Sequence, residues 1–111
     1  MTKLYIAVLD EFPDYMTPTL VAHAMLCAHL AWYNSCYEDG KLYNDWLQNS
    51  FKKCVVRVSQ KEFDRIAALP DVYLAHESNT LNGRLACAVV CPRQHIPNVL
   101  RYARLWKCAD A

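Results

Sequence analysis

Histidine and cysteine are the first residues that suggest chemistry, and two of them, His23 and Cys27, are four positions apart. On a helix this spacing puts both side chains on one face. A zinc site needs at least one more ligand, and the chain contains neither a CxxC nor an HExxH motif. His29 lies six positions beyond His23, about 120° away around a helix, so it is poorly placed to complete the set. We therefore expect no bound metal.

Glycine is too scarce to build a phosphate-binding loop. The chain has only Gly40 and Gly83, and the motifs GxGxxG, GxxxxGK[ST] and GxSxG do not occur. We therefore expect no nucleotide cofactor, and no other cofactor is indicated. A cysteine nucleophile activated by a histidine stays open at this point. The residues that could meet in space to form such a pair are Cys27, Cys36, His23, His76 and His95.

Length and composition indicate one compact domain over residues 1–111. The chain is 54% hydrophobic, with 12 Lys and Arg residues against 11 Asp and Glu residues. A chain of this length removes roughly two-thirds of its unfolded surface from water, which is enough for one core. This composition excludes disordered, collagen-like and polyelectrolyte chains.

No stretch of the sequence resembles a membrane span or a secretion signal. The most apolar stretch, residues 20–33, contains two histidines and is shorter than the roughly 20 residues that a span needs. Residues 1–10 predict a strand, because no small-residue cleavage site follows their apolar run. Cysteines within apolar runs are typical of small buried hydrophobes in a reducing compartment. These cysteines are Cys27, Cys54, Cys87 and Cys91. We expect a cytoplasmic protein that does not insert into membranes.

Charge is divided unevenly along the chain. Residues 1–50 contain two basic and six acidic side chains, whereas residues 51–111 contain ten basic and five acidic ones. Such asymmetry fits a face that binds a polyanion, and it equally fits charges that only solvate helices. It therefore permits tRNA as a partner without requiring it. The basic residues that would form one such face are Lys52, Lys53, Arg84 and Arg101.

Hydrophobic periodicity and turn residues predict eight elements. Strands are predicted at 3–9, 53–58, 72–75 and 85–91, and helices at 17–34, 44–49, 60–69 and 97–106, with a loop over 34–43. Thr17 and Pro18 predict an N-cap and a first-turn proline for the long helix. The order of elements predicts an α/β three-layer sandwich, with a four-stranded mixed sheet and helices on both faces.

Several local motifs resemble one known family over residues 3–107. The long helix carries His23-Ala24, a tryptophan-containing segment precedes the second strand, and a polar loop with Gly83-Arg84 precedes an apolar strand that ends in proline. This arrangement is similar to the archaeal and eukaryotic type of peptidyl-tRNA hydrolase, whose helix bears Lys-x-Ala-Ala-Gln-x-x-His-Ala and whose loop bears Arg-Asp-Ala-Gly-x-Thr. The resemblance implies an α/β fold, tRNA as a partner, a homodimer, and hydrolysis of the ester bond between peptide and tRNA.

The resemblance also implies which residues line the site: His23, Glu77, Thr80 and Arg84. Glu77 stands where the family has its loop aspartate, and Arg84 where it has the threonine after the turn glycine. Thr80 matches the loop threonine after a shift of one residue. Hydrolysis needs an oriented water or base and a cation or dipole near the developing charge, which Glu77 and Arg84 could supply.

The departures from the signature keep a second function open. Met16 replaces the family's helix-start lysine and Leu20 replaces its glutamine. His23 also fits a hydrogen-bonded core histidine, and Glu77 an ordinary solvated side chain. The alternative to an enzyme is therefore a non-catalytic relative with the same fold that acts as a binding or regulatory module for RNA or protein.

The long helix carries apolar side chains around nearly its whole circumference, as expected for a helix buried on more than one side. Met25, Trp32 and Tyr33 are expected to leave an exposed apolar patch, which monomers usually keep small. We therefore predict a homodimer that buries part of this helix. The competing interpretation is that the Trp46 segment covers the helix within one chain.

Overall fold

The computed structural model describes residues 2–77 and 83–106. Its elements in chain order are β1 (Lys3–Leu9), a short 3-10 helix (Asp14–Met16), α1 (Thr17–Trp32), α2 (Glu38–Asn49), β2 (Lys52–Val58), α3 (Gln60–Ala67), β3 (Val72–Glu77), β4 (Arg84–Arg93), α4 (Asn98–Arg101) and β5 (Arg104–Leu105). Among these elements no helix has the length and apolar character needed to cross a bilayer.

The strands form one mixed sheet in the order β3-β4-β1-β2-β5. β1 and β2 are parallel, β4 is antiparallel to both β1 and β3, and β5 is antiparallel to β2. The prediction of an α/β fold with a mixed sheet is therefore confirmed. The predicted number of four strands is wrong, because the sheet has five.

The fifth strand lies where the sequence predicts the second half of a helix over 97–106. α4 ends after a single turn at Arg101, and the chain then pairs with the outer side of β2. Trp106 extends the pairing by donating its backbone N–H to the carbonyl of Val55, at 3.0 Å. Without β5, β2 would be an edge strand with unpaired backbone groups. β5 pairs with those groups, which would lack partners if α4 continued as a helix.

α1 is confirmed as the long helix, although it ends two residues earlier than predicted and begins differently. Thr17 is its first residue and is buried, and Met16 is the N-cap without a side-chain capping bond. The predicted Thr17 cap is wrong because the 3-10 helix runs directly into α1. The buried side chains form one stripe at helical spacing: Thr17, Leu20, Ala24, Ala28 and Trp32.

The opposite side of α1 is open, so burial around its whole circumference is not observed. Leu26 and Leu30 are 62% and 76% exposed. Trp32, predicted to lie in an exposed patch, is buried. Its ring lies beside those of Tyr43 and Tyr73, with centroid distances of 5.6 and 6.5 Å.

α2 begins at Glu38, so the predicted loop over 34–43 is wrong for its second half. Gly40, which suggests a turn in the sequence, is inside the helix instead. A Cβ atom at Gly40 would lie 2.4 Å from the carbonyl oxygen of Ser35, so the close approach of these two segments requires glycine. Tyr43 and Trp46 are almost fully buried beneath α2.

α3 confirms its predicted start, because Ser59 and Glu62 form a complete capping box. The Ser59 hydroxyl accepts a hydrogen bond from the Glu62 backbone at 3.2 Å, and the Glu62 carboxylate accepts one from the Ser59 backbone at 2.9 Å. These hydrogen bonds hold the pKa of Glu62 below its usual value, the one from the Ser59 backbone contributing most. Phe63 and Ile66 are buried.

Candidate functional site

The site predicted from the sequence lies where β1, β2 and β3 end. Because β4 is antiparallel to both β1 and β3, its first residues lie at the same edge, which we call the C-terminal edge. In open α/β sheets ligands bind beyond the carboxyl ends of the strands. The polar and charged residues that the chain brings to this edge are Asp10, Glu11, His76, Glu77 and Arg84.

His23 on α1 reaches the end of β3. Its Nε2 atom lies 3.0 Å from the carbonyl oxygen of His76. A carbonyl only accepts hydrogen bonds, so Nε2 carries the proton and donates, which leaves Nδ1 as the basic nitrogen of the neutral ring. The Cys27 sulfur lies 3.7 Å from the same Nε2. Since this nitrogen already holds a proton, His23 does not activate Cys27 through it.

Glu77 and Arg84 are register partners at the ends of β3 and β4. The predicted third strand ended at Ala75, and its observed extension makes Glu77 the last residue of β3. Three of the four predicted site residues, His23, Glu77 and Arg84, therefore belong to chain segments that meet at the C-terminal edge. The fourth, Thr80, lies outside the described residues.

Arg84 already has a carboxylate partner. Its guanidinium forms an ion pair with Glu11 and lies over the Phe12 ring, 5.1 Å from the centroid. The side chain is more than half exposed, so water and salt screen the pair. Arg84 is thus a cation at the site whose charge is largely balanced by Glu11.

Sequence reasoning did not predict that the acidic loop after β1 would be held by arginines. The loop side chains pair with arginines of three different strands, namely Arg104 with Asp10 at 3.7 Å, Arg84 with Glu11, and Arg57 with Asp14 at 2.7 Å. The signal was the charge asymmetry between the two halves of the chain, because each pair joins an acid of the first half to an arginine of the second.

Two departures from the family signature are part of the core. Met16 and Leu20 are 9% and 2% exposed. Neither position could take a lysine or glutamine without burying a polar group, which is costly unless that group is hydrogen-bonded. The start of α1 therefore packs into the core through Met16 and Leu20.

The basic residues expected to form one face are divided between opposite edges. Lys52 and Lys53 pair with Lys3 and Leu4 at the start of β1, whereas Arg84 lies beyond the end of β1. Seven residues of extended chain separate the two edges by about 20 Å. Lys52 and Lys53 therefore lie at the other edge of the sheet from Arg84.

The thiols of the described cysteines have different surroundings. Cys87 and Cys91 are buried, and burial raises the pKa of each thiol to about 12. Cys27 and Cys54 are half-buried, and Cys36 is exposed. In the described ranges, 2–77 and 83–106, no three His, Cys, Asp or Glu side chains are placed to share a metal ion.

Neither the family models nor the curated proteins contain a match to this chain. The resemblance to peptidyl-tRNA hydrolases therefore depends on the sequence motifs alone.

Proposed function

We propose that this chain hydrolyses the ester bond between peptide and tRNA, the activity that its motifs imply. The observation that carries the proposal is the hydrogen bond from His23 to the carbonyl of His76. That bond joins α1 to β3 beside Glu77, whose register partner is Arg84. A carboxylate that takes a proton and a cation that stabilises the intermediate are groups that ester hydrolysis uses, and His23 joins α1 to the strand that ends in Glu77.

The proposed reaction assigns each group a role. A water oxygen attacks the ester carbonyl carbon, and the Glu77 carboxylate takes the proton that the water loses. Arg84 stabilises the negative oxygen of the tetrahedral intermediate. The bond to the ribose oxygen then breaks, the leaving hydroxyl takes the proton back from Glu77, and the peptide departs as an acid. His23 is a positioning residue that fixes α1 against β3.

Release of free tRNA from a peptidyl-tRNA tests this proposal. Glu77→Gln should lower the rate by about 100-fold or more, because a general base typically contributes on the order of 10² to 10⁴. Glu38→Gln is the matched control, since Glu38 is an exposed acid at the start of α2. No turnover by the unmodified protein at high enzyme concentration, or equal rates for both variants, would refute the assignment.

A non-catalytic module that binds RNA or protein is the second candidate. Two observations favour it: Met16 and Leu20 are buried where the family has polar groups, and Glu11 already balances the charge of Arg84. Salt-dependent binding of tRNA without release of tRNA from peptidyl-tRNA would support this candidate, because phosphate contacts weaken steeply as salt rises.

We also propose the three-layer arrangement, with α1 and α2 on one face of the sheet and α3 on the other. The connection from β1 to β2 and the connection from β2 to β3 run in opposite directions across the sheet. Right-handed crossovers in opposite directions put their helices on opposite faces. The contact of Cys91 Sγ with the carbonyl of Asp39, at 3.4 Å, supports the position of α2.

The homodimer and the cytoplasmic location remain proposals as well. Support for the dimer is the open side of α1, where Leu30 and Tyr33 are about half exposed or more. Apolar surface of this kind marks association sites when it is contiguous. Support for a reducing compartment is that all five cysteines in the described part of the chain are free thiols.

A further inference from the structure

A groove between α1, α2 and the start of β2 lies apart from the C-terminal edge. Its volume is about 370 Å³, which is within the range of small-molecule sites. Its walls are mainly apolar, with Met25 and Leu26 from α1 and Trp46 and Leu47 from α2. We call it the α1–α2 groove.

Phe51 lies at the mouth of this groove in an unusual conformation. Its φ angle is 63°, in the left-handed region that bulky residues rarely adopt. Its N–H donates to the carbonyl of Trp46 at 2.7 Å, and its ring stacks on the Trp46 ring at 5.6 Å. The side chain is nevertheless 57% exposed. The left-handed residue that ends α2 thus places an aromatic ring in the wall of the groove rather than in the core.

The charge in the groove is positive. Lys53 Nζ lies 3.4 Å from the centroid of the Phe51 ring and donates to the Phe51 carbonyl at 2.8 Å. No acidic side chain lines the groove or pairs with Lys53 within the described residues. An ammonium group held over aromatic rings without a counterion favours an anionic ligand group.

A second polar pair lines the groove. His29 Nδ1 lies 2.7 Å from the hydroxyl of Tyr43. Burial raises the pKa of Tyr43, so its hydroxyl keeps its proton and pairs with the His29 ring as a neutral group. Lys53 is therefore the charged donor that the groove offers to a ligand.

We propose that the α1–α2 groove binds a small amphipathic carboxylate, with its apolar part between the helices and its carboxylate at Lys53. The volume equals about twelve water-sized volumes of roughly 30 Å³ each, which suits an acid with roughly ten non-hydrogen atoms. The site does not depend on the proposed ester hydrolysis.

Octanoate and 1-octanol are the probes, because they share a chain and differ in charge. Binding is measured by calorimetry and by the change in tryptophan fluorescence, since Trp46 lines the groove. The unmodified protein should bind octanoate more tightly than 1-octanol. Lys53→Met should weaken octanoate binding by about tenfold, the value of one hydrogen bond to a charged group, and leave 1-octanol binding unchanged.

Two further variants make the result specific. Lys52→Met removes the neighbouring exposed lysine, which does not line the groove, and should change neither affinity. Ala22→Trp fills the groove from an exposed helix position and should abolish binding of both probes with the circular dichroism spectrum preserved.

Three outcomes overturn the proposal. The first is no octanoate binding by the unmodified protein, and the second is equal octanoate affinity in Lys53→Met. The third is a dimer that Ala22→Trp converts to a monomer while octanoate fails to bind, which would make a second copy of the chain the occupant.

Discussion

Gly40→Ala should destabilise the protein, although the same change usually stabilises a helix. In a helix interior alanine is favoured over glycine by about 0.5–1 kcal/mol. At Gly40, however, a Cβ atom would lie 2.4 Å from the Ser35 carbonyl oxygen, 2.5 Å from the Ser35 Cβ and 2.8 Å from the Ser35 carbonyl carbon. Two of these atoms belong to the backbone, so no side-chain rotation relieves the contact.

The magnitude follows from weighing these two effects. Overpacking that displaces backbone costs roughly 1–3 kcal/mol, and the gain in helix propensity offsets about 1 kcal/mol of it. We therefore expect a net loss of up to about 2 kcal/mol in the free energy of unfolding. Urea denaturation followed by circular dichroism measures this as a lower midpoint at unchanged m-value.

The double variant Ser35→Gly with Gly40→Ala distinguishes backbone from side-chain crowding. Ser35→Gly removes the Cβ atom of Ser35 but leaves its carbonyl group, which makes the closest contact. The double variant should therefore stay less stable than Ser35→Gly alone. A stabilising effect of Gly40→Ala would contradict the close approach of α2 to Ser35. The free energy of unfolding would then change only through the gain in helix propensity.

Further predictions concern side chains with distinct surroundings. Cys36 should react with a maleimide in the folded protein well before Cys87 and Cys91, because burial protects those two thiols and raises their pKa values to about 12. Mass spectrometry of quenched samples measures the order of labelling. Simultaneous labelling of the three cysteines would refute this prediction. Glu62→Ala should lower the free energy of unfolding at pH 7 by about 1 kcal/mol, as loss of a cap does. Because the pKa of Glu62 is lowered on folding, its contribution is complete above the normal carboxyl pKa and is lost as pH falls through the folded value. The difference in urea midpoint between the variant and the unmodified protein should therefore shrink on acidification, and a constant difference would contradict this linkage. Light scattering at micromolar concentration should give the mass of a dimer, and a monomer mass would defeat that proposal.

Elements with strong local signals could be predicted from the sequence. α1 follows from a long apolar pattern opened by Pro18, and α3 from a capping box at Ser59 with a clear apolar stripe. Both depend on interactions within a few residues, which the sequence displays directly.

The elements that sequence reasoning missed depend on distant partners. Residues 97–106 have helical spacing, but pairing with the outer side of β2 makes their end a strand. Gly40 suggests a turn in the sequence, but the structure places it in α2. It is glycine because Ser35, which precedes the helix, approaches it closely, and the sequence does not show this contact. Leu26 and Leu30 are as apolar as the buried residues of α1. Whether a side of the helix is buried or exposed to solvent depends on which other elements pack against it, and the sequence does not show this.

Contacts between distant residues also explain why the sequence did not reveal the ion pairs at the candidate site. The sequence places acids in the first half of the chain and arginines in the second, and this pattern by itself fits a face that binds nucleic acid. In the folded protein some of these charges pair with each other, because the strand order puts Arg57 and Arg84 beside the acidic residues that follow β1. The negative charge of the proposed tRNA substrate must therefore compete with Glu11 for Arg84. Glu11→Gln should consequently strengthen tRNA binding, whereas Arg84→Gln should weaken it, as measured by filter binding at several salt concentrations. Equal affinity in both variants would show that tRNA does not contact this edge of the sheet.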